Sequence, residues 1–474
     1  MIKQAIGFAF ILFLFATVDL CAQEEQDILL IDSLYQLSGK QDGREKIETL
    51  LQLSEAYRLV SFDKSLKTGE DAMALSDKEG YQGLKGKILK SLGVSAYYIG
   101  DYDLALRYYD MSINAYRQQD DLKGVASCLH NKALIYEITG RFDSAIIYYL
   151  NSLAMEEKLG DLSGQGMTIL NIGNLHYQQG NYSQALDNYY RAGLIVKDLP
   201  DTLLLGQILQ NTGLVYWQWD QNDQALEKLF EARELFEQSG EEWELANVNY
   251  HLGLMYAAEL DQPDKGMEYY LKALDMKQML GDPAGSARVL NSIGDLLSKQ
   301  LQHEKAFEYF AKSLRIYETL GHASGLVETW YFMGKAYQAA GQIVKSIEAI
   351  EKSLNLSAQY EMHVLVEECN EIMMENFALI GNKQAFSYYF KLVSDSQDST
   401  ISQLKKLNMS EARLKYVLQN MESDFQILEK DNKQMQLELR YYRWALSVLS
   451  ALLLLIFIGL LIQRKRFSNQ RNVS

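Results

Sequence analysis

The side chains in this sequence with chemistry to offer are few: six histidines, three cysteines, and asparagines that recur at a fixed spacing. The stretch NIGNLHYQQGNYSQALDNYYRA, residues 171–192, concentrates them, with two glycines seven apart, His176 between them and the tyrosine pair Tyr189 and Tyr190 further on. An imidazole works as a base or a metal ligand only beside a second suitable group, and the histidines are spread over separate stretches of chain. The sequence contains no phosphate-cradling Gly-x4-Gly-Lys-Ser/Thr loop, no zinc-binding His-Glu-x2-His and no nucleophile-bearing Gly-x-Ser-x-Gly. The glycines of GDLSGQG, residues 160–166, follow a helical pattern rather than a strand, unlike a dinucleotide fingerprint. Cys128 and Cys369 lie 241 residues apart, too few for a disulfide framework and too distant for a metal pair, so they are expected as buried small hydrophobes. Neither enzymatic chemistry nor a metal or cofactor is expected. What remains is the asparagine amides, which recognise rather than transform.

Those amides are positioned by a repeat. Ser54, Gly93, Ala133, Gly173, Gly213, Gly253, Gly294, Gly334 and Met374 hold one place in a pattern whose successive gaps are 39, 40, 40, 40, 40, 41, 40 and 40. About twelve residues on comes a second small residue, in the series Ser65, Ala105, Ala145, Ala185, Ala225, Gly266, Ala306, Ser346 and Ala385. Seven further on, most units are small again, from Ala72 and Ser112 to Ser353. Bulky residues such as Tyr109, Tyr149, Tyr189, Tyr270, Phe310 and Tyr389 stand between these small positions. Small against large lets two antiparallel helices approach while rings fill the space beside them. Each unit reads as a helix A, a short turn such as QQGNY (178–182), and a helix B, with apolar spacing that favours helix over strand. Units join through LGDLSG (159–164), LGDPAG (280–285) and LGHASG (320–325), where the first glycine suits the left-handed end of helix B and the aspartate can cap the next helix A. His176 stands where Tyr136, Tyr216, Tyr256 and Tyr337 stand in other units, and so reads as core.

This pattern resembles the tetratricopeptide repeat, in the slightly lengthened form of about 40 residues found in kinesin light chains and in bacterial and animal adaptor proteins, over roughly Leu50 to Val393. The usual helix-ending proline is replaced here by the Gly-Asp turns, and Gly69 and Leu392 break the pattern in the end units, as capping repeats do. The resemblance implies an all-α fold, a right-handed α-α superhelical solenoid whose A helices line a concave face. It places the exposed positions of that face two before the key glycine, one after it, and four or five after it. Asn131, Asn171 and Asn211 fill the first of these in three consecutive units, accompanied by Tyr97, Tyr98, Glu137, Asn174, Tyr177, Trp217 and Gln218, with His251 and Ser292 extending the row. A ladder of amides offers donors and acceptors to an extended peptide, and the aromatics add contact area at low entropic cost. A protein or peptide ligand is expected there. The alternative is that the asparagines bond only to neighbouring helices.

The net charge of −16 argues against a nucleic-acid partner. Residues 1–22 have the layout of a secretory signal peptide, an apolar run from Ala5 to Val18 ending in small Ala22; a lipid anchor at Cys21 fits less well because Asp19 and Leu20 precede it. Residues 23–44 read as a helical lead-in and 45–395 as nine repeats. From 396 to 443 the rhythm changes to alternating gaps of three and four, through Leu404, Leu407, Glu411, Leu414, Leu418, Met421, Phe425, Leu428, Asn432, Met435, Leu439 and Tyr442. That is a coiled-coil pattern with Asn432 at a register-setting position, expected to support a homodimer, although Asp424 and Glu429 would face each other and a helix folded back on the array is the alternative. The rod runs into an uncharged transmembrane segment, 444–462, flanked by Tyr441, Tyr442 and Trp444, and then a tail, 463–474, carrying Arg464, Lys465, Arg466 and Arg471. The positive-inside rule puts the tail in the cytoplasm, so a single-pass inner-membrane protein with periplasmic repeats is expected, of bacterial origin. The sequons at Asn181, Asn355 and Asn408 are few enough to arise by chance. The order of parts resembles the sensory half of bacterial membrane proteins in which a histidine kinase or LuxR-type DNA-binding domain follows the span, and neither of those activities is expected from this sequence. A membrane-anchored scaffold or sensor is the first expectation. A receptor subunit whose output domain is on a separate chain, or has been lost, is the second.

Overall fold

The computed structural model of the protein describes residues 28–396, apart from 59, 361, 363 and 364. The expected signal peptide, the rod beyond 396 with Asn432, the segment 444–462 and the basic tail lie outside the described residues. Among the described residues no helix is long and apolar enough to cross a membrane.

Every regular element among the described residues is helical. A helical stretch at 28–38 (α1) precedes nine helix pairs. They are α2 (Gly43–Tyr57) with α3 (Phe62–Glu79), α4 (Lys85–Ile99) with α5 (Tyr102–Arg117), and α6 (Leu122–Ile138) with α7 (Phe142–Leu159). Next come α8 (Leu162–Gln178) with α9 (Tyr182–Val196), α10 (Thr202–Gln218) with α11 (Asn222–Ser239), and α12 (Glu242–Leu254) with α13 (Pro263–Met279). The series closes with α14 (Pro283–Lys299) and α15 (His303–Leu320), α16 (Ala323–Ala339) and α17 (Ile343–Gln359), and α18 (Val366–Leu379) with 383–396 (α19). Partners within a pair pack most extensively, each B helix then packs on the A helix that follows, and successive A helices touch. This is the nearest-neighbour stacking of a repeat solenoid.

The small and large positions are what close each pair. Ala105, Ala145, Ala185, Ala225 and Ala306 are fully buried, as are Ala72, Ser112, Ser152, Ala192, Ala232, Ala273, Ser313 and Ser353. The B-helix ring lies flat against the key glycine of its own A helix, so a Cβ at Gly253 would come within 2.5 Å of Tyr270. The serines pin one helix to another: the hydroxyls of Ser112, Ser152, Ser313 and Ser353 each donate to a backbone carbonyl 26 residues earlier, at 2.7 to 2.9 Å. The two cysteines serve the same joint. Cys128 donates to Ser112 at 3.2 Å and Cys369 to Ser353 at 3.6 Å, each 16 residues ahead of its serine. Burial pushes both thiols up to about 11, so they stay protonated and unreactive, as small buried hydrophobes do.

The turns follow their expected chemistry. Gly160 takes φ 67° at the end of α7, and Asp161 then accepts from the Gly164 amide at 3.0 Å to cap α8. Asp121, Asp201 and Asp282 cap α6, α10 and α14 in the same way, and His322 takes that place at α16, its Nδ1 accepting from the Gly325 amide at 3.1 Å. One unit departs from the rest. After α12 the chain forms a wide π-type turn, Met255–Glu259, which holds the single extra residue behind the 41-residue gap. The turn therefore reaches its left-handed residue at Asp261, eight after Gly253, where the neighbouring unit reaches Asp220 seven after Gly213.

Candidate partner-binding face

The A helices α4 to α12 carry the expected site residues on one face, half-buried except for Tyr98 and Gln218, which are exposed. Tyr98 stacks parallel on Phe62 at 5.8 Å and meets Tyr97 edge-on at 5.4 Å, giving an aromatic group at the N-terminal end. One unit on, the Glu137 carboxylate accepts from the Tyr149 hydroxyl and from the Gln178 amide, both at 3.0 Å. Tyr177 packs on Tyr182 at 5.4 Å, and the Tyr182 hydroxyl donates to Gln218 Oε1 at 3.5 Å. Trp217 is half-buried beside them.

The asparagines do not form one ladder. Asn174 is a hub: its Oδ1 accepts from the Tyr189 hydroxyl at 2.9 Å and from the Asn211 amide nitrogen at 2.8 Å. The Asn171 nitrogen instead lies 3.4 Å from His130 Nε2 in the preceding unit. Asn171, Asn174 and Asn211 thus each spend one atom holding units together, as the alternative reading of the sequence allowed. The Oδ1 atoms of Asn171 and Asn211 have no hydrogen-bond partner among the described residues, so an acceptor is left on each of two adjacent rungs.

The B-helix tyrosines explain how a wall residue reaches this face. Their rings are buried against the key small residues, while the hydroxyls of Tyr149 and Tyr189 donate to Glu137 and Asn174 on the A helix of the same pair. Tyr270 is buried in the same way against Gly253. Burial drives the hydroxyls of Tyr109, Tyr149, Tyr189 and Tyr270 well above the ordinary phenol range, so they stay neutral. Spacing alone could identify these rings as core. The second role of their oxygens needed the cross-helix distance.

Burial favours the neutral form of the three histidines on this face, His130, His176 and His251. Burial lowers His130 and His176, and the sealed Nδ1 of His176 has no partner among the described residues. Burial, then the charges of Arg288 and Lys277, bring His251 down to about 4. Its ring lies 5.7 Å from Tyr250. Among the described residues no cluster of three His, Cys, Asp or Glu could hold a metal ion. His130, Gln178 and Tyr250 belong to the face and were missed from sequence. His130 and Tyr250 stand three before the key position, a row of the repeat that would have revealed them.

Solved structures similar to this chain share its fold. The signal-transduction ATPase with numerous domains that carries a tetratricopeptide-repeat sensor, from Pyrococcus horikoshii, is 15% identical with a TM-score of 0.51, covering 77% of this chain and 55% of that one. Aspartyl phosphate phosphatase F from Bacillus subtilis is 14% identical with a TM-score of 0.50, over 75% of this chain and 95% of its own. The apo form of the quorum sensor NprR from B. thuringiensis is 16% identical with a TM-score of 0.49, over 64% and 84%. No curated protein matches the chain. Models described as tetratricopeptide repeat match residues 84–158, 165–238 and 244–319, and a further one 327–360, leaving out the first and last pairs. Matched in this way over more than half its length, and built throughout its described residues of stacked helix pairs, the chain belongs to the tetratricopeptide-repeat family.

Proposed function

We propose that this protein is a membrane-anchored scaffold or sensor that holds an extended segment of a protein partner along the A-helix face of units two to six. The observation that carries the reading is the pair of unpartnered amide oxygens on Asn171 and Asn211, half-buried on adjacent units and flanked by Tyr177 and Trp217. A peptide backbone supplies N–H donors for such acceptors, and aromatic neighbours exclude water from the bonds. The anchoring is read from sequence: an N-terminal export signal and an uncharged stretch at 444–462 ahead of a basic tail favour periplasmic repeats on a single-pass inner-membrane protein. The heptad rhythm from 404 to 442 favours a dimeric rod through which binding is transmitted.

The test is affinity capture from membranes with the full-length chain, comparing the parent with Asn171→Ala combined with Asn211→Ala. Loss of the two acceptors should reduce partner yield at least fivefold, while circular dichroism stays unchanged. An unchanged yield would remove the amide face as the binding site.

A further inference from the structure

The A-helix face changes charge along its length. In unit two its ionisable groups are basic, with Lys87 exposed and Lys90 reaching Ser127 at 3.4 Å, while in unit one Arg58 is paired with Glu55 at 3.6 Å and reaches Ser91 at 2.9 Å. Units three to six are nearly uncharged there, with Glu137 the exception. In units eight and nine the equivalent positions hold Glu328, Glu368, Glu371 and Glu375, and Glu375 takes only the neutral amide of Gln338 at 3.0 Å. Arg288 of unit seven, at the equivalent position, offsets Glu328, and the one cation at these positions in units eight and nine, Lys335, leans towards Asp295 at 3.8 Å, which is already paired with Lys299 at 2.9 Å. The half-buried ring of Tyr331 sits amid the charges of Glu368, Asp295 and Glu371. A ring framed by carboxylates is a favourable seat for a partner's ammonium or guanidinium.

Resting on the peptide-binding reading above, we infer that this face selects a peptide of fixed polarity, with its acidic end over Lys87 and Lys90 and its basic end beside Tyr331, Glu368 and Glu371. Helix axes about 9 Å apart and about 3.3 Å per extended residue separate the two ends by about eighteen residues of partner. Pairs this far apart are screened from each other, so each end contributes locally and loses strength with salt. The uncharged middle units fix the backbone through their amides, and the ends choose the direction in which it lies.

The probe is a displayed library of random 20-residue peptides selected on the full-length chain. Enriched peptides should carry Asp or Glu at one end and Lys or Arg at the other. A photo-crosslinker beside the basic end should label units eight and nine. Glu368→Lys with Glu371→Lys should weaken an enriched peptide at least tenfold, and replacing that peptide's basic residues with glutamate should restore it. Enriched peptides without charge asymmetry, or a loss under twofold, would overturn the polarity while leaving the groove standing, provided binding still needs Asn171 and Asn211. No enrichment at all would overturn both.

Discussion

The buried histidines make the protein acid-sensitive, and His251 carries the largest share while His130 and His176 act in the same sense. His251 is held neutral down to about pH 4, whereas an unfolded imidazole takes its proton near pH 6.5. Between those values the unfolded chain binds the proton and the folded one does not. The contribution of His251 to stability is therefore full above about pH 6.5 and is lost as pH falls towards 4, an effect of up to about 3 kcal/mol. Burial raises the carboxyls of Glu156 and Glu328, which acts in the opposite sense and favours the folded state as pH falls. His251→Gln should flatten the fall in urea midpoint between pH 7 and 5; an equally steep fall in the variant would assign acid sensitivity elsewhere. Residue types and spacing were enough to recognise His176 as part of the wall and the cysteines as inert. The hub at Asn174 was not legible in the same way, because its importance comes from Tyr189 and Asn211 arriving from two other helices.

At the scale of an element, the aspartates that start the A helices are not equivalent. Asp161 bonds the Gly164 amide and the hydroxyl of Ser163 turns away to Asp201, so Asp161→Ala should cost about 1 kcal/mol, the value of a helix cap. Asp282 caps α14 and also takes the ammonium of Lys277 at 3.1 Å, a side chain almost wholly buried between α13 and its neighbours. Removing it strands that charge with only Asn247 at 2.8 Å and the Trp243 ring, so Asp282→Ala should cost about 3 kcal/mol or more. Thermal denaturation of the two variants side by side measures the difference, and equal losses would show that the Lys277 pairing adds nothing. The sequence displayed both aspartates in the same Gly-Asp turn. It could not display that a lysine at a position filled by Tyr116, Phe236 or Tyr317 elsewhere would turn inward to reach one of them.

Across the whole molecule, stability rests on neighbours alone, because each pair touches the pairs before and after it and little else. Interior units should accordingly hold their amide protons longer than the end pairs, α2 with α3 and α18 with α19, in hydrogen exchange. Uniform protection from end to end would show long-range coupling that the packing does not contain. The helix pairing and the handover turns were readable from one sequence, since a recurring period averages out local ambiguity. The wide turn at Met255–Glu259 was visible only as a gap of 41 in place of 40. By bulging outward from the helical ladder, that turn confines an added residue to one corner, and Gly294 and Gly334 resume the old spacing as though nothing had been inserted. A ruler that can gain a notch without moving its other marks is open to lengthening by small steps, so a reporter group spliced into this corner should be carried by the protein without disturbing the surfaces on either side.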